Sequence, residues 1–187
     1  MELVGGLILP ADGVAQVGQR VSIQISGVGA APFGGDLDDV EAGIGAELQL
    51  RFTGGALSYG FGVNTFEHRI GPTRKADIWG VFFEPRYVVD LGNETVALYL
   101  SGRAAVSIFQ VYGVGVEIGE RGPSATGTIW NGGGGFLINL GSRVNLDLGA
   151  TVGRLSLGEA EFSGEVIDLG SGNNVIVRIG LAIGLGG

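Results

Sequence analysis

Residues 144–152 read VNLDLGATV, and apolar side chains alternate with polar or very small ones along the whole stretch. Because the side chains of a β-strand point alternately to its two faces, this pattern predicts a strand with one apolar and one polar face. The direction of the apolar face separates two kinds of β-protein. In a soluble protein the apolar face forms the core, whereas in a transmembrane barrel it contacts lipid and the polar face lines the lumen.

Eight segments of the chain show this period of two and none shows a sustained period of 3.6, so the sequence predicts an all-β protein. The predicted strands cover residues 19–29, 40–52, 56–66, 77–90, 94–110, 125–139, 143–155 and 174–185. The connections between them alternate strictly in length. Three are short, at 53–55, 91–94 and 140–142, and four are longer and polar, at 30–39, 67–76, 111–124 and 156–173. An up-and-down antiparallel barrel with one trimmed and one elaborated rim has this order of connections.

The composition also favours a membrane barrel. The chain is 45% hydrophobic and only 16% charged, whereas a soluble domain is about 25% charged. No run approaches the roughly 18 unbroken apolar residues of a membrane helix, so the apolar residues must lie in alternating segments. A net charge of −8 without a basic stripe argues against nucleic-acid binding. Because cysteine is absent, the chain has no disulfides, zinc–cysteine sites or thiolate nucleophiles.

The polar faces of the predicted strands carry few charges and many small residues. A soluble lipocalin-like barrel, which needs a charged outer face, is therefore the less favoured alternative. The interior of an eight-stranded barrel is only just wide enough for side chains, so small residues there leave room for a few long ones. We predict an eight-stranded antiparallel up-and-down transmembrane β-barrel with its apolar faces on lipid. Four outward aromatic residues are predicted at the membrane interfaces: Trp79, Tyr87, Trp130 and Phe136.

In this architecture the chain resembles the small outer-membrane barrels of the OmpA/OmpX type, over about residues 19–185 and without a diagnostic motif. The resemblance implies the outer membrane of a Gram-negative-type cell, the lipid bilayer and lipopolysaccharide as partners, and no cofactor. Many members end in a strand with a terminal aromatic residue that serves as an assembly signal, whereas this sequence ends in LAIGLGG. We expect a monomer.

The first residues of the chain differ from the rest. They lack Lys and Arg, and Pro10 interrupts a short apolar run, so the segment does not match a secretory signal peptide. We expect residues 1–18 to be an N-terminal tail or signal remnant, with any export signal absent from this sequence. The barrel domain is expected to cover residues 19–187.

Charges on the polar faces are the main candidates for a function. Parity places nine of them in the lumen: Arg20, Glu41, Glu47, Arg51, Glu84, Arg86, Arg103, Asp147 and Arg178. Charges inside a narrow barrel must be paired or hydrated, and the mixed signs allow a ladder of ion pairs. The hairpin around residues 91–94 is expected to bring Glu84 within diagonal reach of Arg103. Two interpretations remain open, a fixed polar plug and a gate whose pairs exchange partners to admit small ions.

The only histidine favours a non-enzymatic protein. Some eight-stranded outer-membrane barrels modify lipid A with a histidine and a serine, but the only histidine, His68, is followed by Arg69 and Ile70 instead of a His-x-Ser pattern. We therefore predict a solvated histidine at the rim.

The longer connections carry acidic residues that we expect to be solvated, with weak binding of divalent cations as the alternative. These are Asp36, Asp38, Asp39, Glu117, Glu120, Glu159, Glu161, Glu165 and Asp168.

The favoured function is therefore a non-enzymatic outer-membrane barrel with a polar, largely occluded lumen and a structural or surface-interaction role. The alternatives are a small low-conductance channel and a soluble lipocalin-like ligand-binding barrel. No metal ion is expected.

Overall fold

A computed structural model of the chain describes residues 20–71, 74–89, 91–92, 95–113, 124–162, 165–168 and 170–185. Eight long strands form one closed antiparallel barrel, in which sequence neighbours pair and the first strand closes on the last. A separate two-stranded sheet, β8 with β9, lies between the last two barrel strands in the chain. The strands are β1 Val21–Phe33, β2 Gly43–Gly54, β3 Leu57–Ile70, β4 Arg74–Val89, β5 Val96–Gly113, β6 Ser124–Gly141, β7 Val144–Leu157, β8 Glu159–Phe162, β9 Glu165–Asp168 and β10 Ser171–Gly184. Across these described ranges, no helix has the length and apolar character needed to cross a membrane.

The structure confirms the predicted fold class and, within the strands that it forms, the predicted faces. In β7, the strand quoted first, Asp147 is fully buried inside the barrel and Val152 is 54% exposed on the outside. The same alternation in β10 buries Arg178 and exposes Val177 and Ile179. The large exposed hydrophobic side chains therefore form the outer wall, which is the arrangement of a barrel that faces lipid.

The two rims of the barrel are named here by their connections. The turn end carries the connections β2–β3, β4–β5 and β6–β7, together with the start of β1 and the end of β10. The loop end carries the connections β1–β2, β3–β4, β5–β6 and β7–β10. Residues 1–19 and 114–123 lie outside the described residues, and with them the predicted tail and most of the predicted connection at 111–124.

The predicted long connection at 67–76 is wrong. Strands β3 and β4 pair up to Ile70 and Arg74, which leaves only residues 71–73 to connect them. The outward side chains at this end are charged, and Lys75 Nζ lies 2.6 Å from Glu67 Oε1, so the apolar outer face that marks the other strands is missing here. Inward alternation continues, because Phe66 and Ala76 are buried.

The first long connection folds over the loop end of the lumen. Strand β1 continues to Phe33, beyond the predicted end, and a short 3-10 helix follows at Gly35–Leu37. Leu37 is only 3% exposed and packs with buried apolar residues of the lumen. The backbone N–H of Ser171 donates a hydrogen bond of 3.0 Å to Asp36 Oδ2, which fastens this segment to β10.

Two predicted lumen charges lie elsewhere. Arg20 precedes β1 and Glu41 precedes β2, and both are exposed. Parity failed for them because the inside–outside alternation of side chains holds only within a strand, and both strands begin later than predicted.

The interior is not uniformly polar, contrary to the predicted polar lumen. Its loop-end half holds a cluster of buried apolar side chains, called here the apolar layer. Its buried members are Val28, Ala30, Leu37, Phe66, Ala76, Ile78, Phe82, Ala105, Phe109, Ile129, Leu155, Leu157 and Ile176. The charged residues lie further toward the turn end. The barrel interior thus has an apolar half and a charged half, stacked along its axis.

Candidate functional site: the lumen charge network

The carboxylate of Glu84 contacts four guanidinium groups in the lumen. Its Oε1 atom lies 3.0 Å from Arg51 Nη2 and 2.7 Å from Arg86 Nε. Its Oε2 atom lies 2.8 Å from Arg103 Nη2 and 2.9 Å from Arg178 Nη1. The Glu84 side chain has no exposed surface. Charge-assisted bonds of this length are the strong ones in proteins, so Glu84 is the electrostatic centre of the barrel.

Two further carboxylates flank Glu84. Glu47 accepts two hydrogen bonds from the two terminal nitrogens of Arg103, a bidentate pair that fixes the guanidinium plane. Asp147 Oδ2 lies 2.7 Å from Arg86 Nη1. Arg178 reaches all three carboxylates, at 2.9 Å for Glu84, 3.4 Å for Glu47 and 3.8 Å for Asp147.

The network gathers residues from five strands. The structure brings together all seven of the charges named for it from sequence, other than the two at the strand ends: Glu47 and Arg51 of β2, Glu84 and Arg86 of β4, Arg103 of β5, Asp147 of β7, and Arg178 of β10. The expected contact between Glu84 and Arg103 is present. Arg178 meets Glu84 across the lumen, because β10 and β4 are not neighbours in the barrel.

Glycine on an intervening strand gives the long side chains room to cross. At Gly60 of β3, a Cβ atom would lie 2.7 Å from Arg51 Nη2 and 2.6 Å from Gln49 Cδ. Arg51 passes over this glycine to reach Glu84 from β2. The small residues that the sequence places on the inward faces thus provide the space that the arginines occupy.

Sequence reasoning missed Tyr99, which is fully buried in the network. Its hydroxyl donates to Asp147 Oδ1 at 2.7 Å and accepts from Arg178 Nη2 at 3.1 Å. The guanidinium carbon of Arg86 lies 4.1 Å from the centre of its ring, a cation–π geometry. Parity was the available signal, because Tyr99 lies four positions before Arg103 on the same face of β5.

The Tyr99 ring packs directly against two inward glycines, and substitution of one of them should disturb the network. A Cβ atom at Gly149 would overlap the Tyr99 hydroxyl, and one at Gly135 would lie 2.6 Å from it. We expect Gly149→Ala to lower the free energy of unfolding by about 1–3 kcal/mol, because a buried and hydrogen-bonded ring has little room to move.

The measurement is urea unfolding of the barrel in detergent micelles or lipid, with Gly132→Ala as the matched control. Gly132 is also a strand glycine, but a Cβ atom there would meet nothing within 4 Å. We expect the control to stay within about 0.5 kcal/mol of the parent. Equal losses in the two variants would contradict the packing role of Gly149.

His68 does not lie at a solvated rim, which corrects the prediction for it. It is 1% exposed, and its Nδ1 atom lies 2.9 Å from the backbone carbonyl oxygen of Glu41. The centre of its ring is 6.2 Å from that of Phe66. The misassignment follows from the strand bounds, because β3 continues to Ile70 and turns His68 inward.

Two of the acidic rim residues have local roles, whereas Asp39 and Glu159 are exposed. Asp36 binds the backbone of Ser171, and Asp38 Oδ1 accepts a hydrogen bond of 2.7 Å from the backbone N–H of Gly34. No group of three or more His, Cys, Asp or Glu residues suited to a metal ion occurs in the described part of the chain. Glu117 and Glu120 lie outside that part, and so do the side chains of Glu161, Glu165 and Asp168.

The four aromatic residues predicted at the membrane interfaces all lie on the outer surface. Their exposed fractions are 52% for Trp79, 46% for Tyr87, 65% for Trp130 and 49% for Phe136. Aromatic side chains flank the apolar band of outer-membrane barrels. Their depth relative to a bilayer stays a prediction.

No protein-family model matches this chain, and no curated protein is similar to it in sequence. Three solved structures share its fold over most of their length. Neisserial surface protein A (NspA) superposes with a TM-score of 0.68 and 14% identity, covering 89% of this chain and 97% of that one. Ail, the attachment invasion locus protein of Yersinia pestis, has a TM-score of 0.53 and 13% identity, covering 88% and 97%. The outer membrane protein OprG from Pseudomonas aeruginosa has a TM-score of 0.55 and 10% identity, covering 94% and 100%.

These similarities define the class of fold. The chain is a closed eight-stranded antiparallel β-barrel with the architecture of the small outer-membrane barrels. The resemblance to the OmpA/OmpX type, inferred from alternation and the order of connections, is confirmed at the level of this architecture.

Proposed function

We propose that the protein is a non-enzymatic outer-membrane barrel whose lumen is permanently closed and whose role is structural or in surface interactions. The single observation that carries the proposal is the set of four arginines held on the buried Glu84 carboxylate. An ion-pair network with this many short contacts has little freedom to rearrange into an aqueous path. Among the described residues Arg51 pairs with no carboxylate other than Glu84, so loss of that contact would leave a charge unpaired in a medium of low dielectric constant.

The apolar layer supports the same proposal independently. It fills the loop-end half of the lumen. Leu37, in the connection that folds over this end, packs into it. Ions do not cross a dry apolar constriction without losing hydration. Closure of the lumen therefore rests on two different kinds of contact, one electrostatic and one hydrophobic.

Location in the outer membrane, with lipid and lipopolysaccharide around the barrel, is part of the proposal. It is supported by the exposed apolar wall of the barrel and by the fold shared with outer-membrane proteins. A soluble ligand-binding barrel is disfavoured because it would have to keep side chains such as Ile44, 77% exposed, and Trp130, 65% exposed, in water. The acidic rim is proposed to be solvated.

Conductance across planar bilayers tests the closed lumen. We expect the purified wild-type barrel to insert without steady conductance steps. The variant that combines Arg103→Ala with Phe82→Ala is expected to conduct, since it removes one side chain from each of the two closing layers. In the wild type the guanidinium carbon of Arg103 lies 4.0 Å from the centre of the Phe82 ring. This variant also demonstrates that the assay detects an open lumen.

A small low-conductance channel is the second candidate, and one observation favours it. Arg178 lies within 4 Å of three different carboxylates, so it has alternative partners if one pair breaks. Steady conductance of the wild type would reject the plug in favour of this channel. In that case, Arg178→Gln should change the conductance, whereas Lys75→Gln, at an exposed pair outside the lumen, should not.

A further inference from the structure

We propose that the small polar cavity at the turn end of the lumen binds one small monovalent anion of the halide type. The cavity lies on the turn-end side of the Glu84 carboxylate, away from the apolar layer. Its volume is about 20 Å³, and roughly 10–15 Å³ is enough to hold a single water-sized particle. The cavity therefore has room for a single-atom ion and excludes larger carboxylate or phosphate compounds.

The charge of the buried network provides the first reason. Among the described residues, the buried charged groups of the lumen are four guanidinium groups, Arg51, Arg86, Arg103 and Arg178, and three carboxylates, Glu47, Glu84 and Asp147. Arginine stays protonated in proteins, so the network carries an excess of one positive charge. An uncompensated charge inside a narrow lumen is costly, and a bound monovalent anion would neutralise it.

The hydrogen-bond donors provide the second reason. Arg51 and Arg86 line the cavity, and each is 1% exposed. The Nε atom of Arg51 and the Nη2 atom of Arg86 are buried and have no hydrogen-bond partner in the described protein. Buried N–H groups are rarely left without an acceptor. Both arginines with an unpartnered N–H group thus line the cavity, where an anion could accept hydrogen bonds from them.

The rim of the cavity adds a third positive residue. Arg143 precedes β7 and is exposed, and it lines the same cavity as Gln24 and Asn145. An exposed arginine beside the opening raises the local concentration of anions and speeds their entry. The site thus consists of two buried arginines, one rim arginine and two amide side chains.

Thermal unfolding at constant ionic strength tests the proposal, with the folded barrel in detergent and sodium chloride exchanged for sodium gluconate. Gluconate is too large for the cavity. We expect chloride to raise the Tm of the wild type in a saturable manner by roughly 2–4 °C, because a ligand that binds only the folded state stabilises it. Chloride that raises Tm without saturation would indicate a general salt effect and would overturn the site.

Gln24→Glu is the decisive variant, because it places a carboxylate in the cavity in the position of the anion. Gln24 is 1% exposed, and its Oε1 atom has no partner in the described protein. We expect this variant to be more stable than the wild type in gluconate and to lose the response to chloride. Asn174→Asp is the matched control: Asn174 is also a buried amide, four positions along β10 from Arg178, and does not line the cavity. It should keep the full response.

Arg143→Gln and bromide diffraction keep the test independent of whether the buried variant folds. Arg143 is exposed, so its replacement should leave the barrel folded and raise the chloride concentration for half the Tm shift severalfold. Crystals of the wild type grown in sodium bromide should show an anomalous peak between Arg51 and Arg86. An ordered water only, with no bromide peak, would overturn the proposal, and so would equal chloride responses in the wild type and Gln24→Glu. Neither result would bear on the closed lumen, which conductance tests separately.

Discussion

Replacement of Glu84 by glutamine is expected to lower the free energy of unfolding by about 3–5 kcal/mol, the range found when one partner of a buried ion pair is removed. Glutamine has nearly the same shape as glutamate, so packing is preserved and only the charge changes. Four arginines contact this carboxylate, and the substitution leaves them facing two carboxylates instead of three. The excess positive charge in the lumen would thus double.

The measurement is reversible urea unfolding in lipid vesicles or micelles, with Glu67→Gln as the matched control. Glu67 also forms a short ion pair, with Lys75 Nζ at 2.6 Å, but both side chains are more than half exposed. Exposed pairs contribute roughly 0–1 kcal/mol, so the control should lose little stability. A loss for Glu84→Gln no greater than that of the control would show that the lumen is hydrated enough to screen its charges.

A double-mutant cycle with Arg103→Gln extends this prediction. Arg103 contacts both Glu84 and Glu47. Its removal leaves Glu47 with the longer contact of 3.4 Å to Arg178 and takes one of the four guanidinium groups from Glu84. We expect the double variant to be more stable than the sum of the two single losses predicts, by about 1 kcal/mol or more. Additive losses would indicate that the two residues do not interact in the folded barrel.

The second large effect is expected on the outer wall. Val177→Arg should destabilise the inserted barrel by about 2–4 kcal/mol, because it places a charge on the lipid face near the middle of the bilayer. Val177 is 52% exposed, lies at the middle of β10, and pairs with Gly29 and Ala150 of the adjacent strands. Small neighbours offer an arginine no polar partner at that depth.

Ser124→Arg serves as the control for position. Ser124 is exposed at the loop-end start of β6 and pairs with Gln110. Near a membrane interface the cost of arginine falls to about 0–1 kcal/mol. Both free energies are measured by urea unfolding from lipid vesicles. If Val177→Arg instead left a protein that stays folded in water without detergent, the outer wall would face solvent and the membrane assignment would be wrong.

The number of barrel strands, and the inward or outward direction of most residues within them, could be predicted from the sequence alone. Both depend on a period of two along a single strand, and that period is a local property of the extended backbone. Asp147 and Arg178 could therefore be placed in the lumen, and Val177 on the outer wall, without knowledge of their neighbours. Where the outer face is charged, as at Glu67 and Lys75, the local signal vanished and the strand bounds were predicted wrongly.

Most contacts between lumen residues could not be predicted from the sequence; the pair of Glu84 and Arg103, on neighbouring strands, was the exception. Parity gives the face of a side chain but not its depth, since depth depends on the stagger that closes eight tilted strands into a barrel. That stagger brings Arg178 of β10 across the lumen to Glu84 of β4 and places Tyr99 against Asp147. It also gathers inward apolar residues, including Phe66, into the apolar layer on the loop-end side of the charges. These contacts join strands that are far apart in the chain, and no local pattern records the register that aligns them.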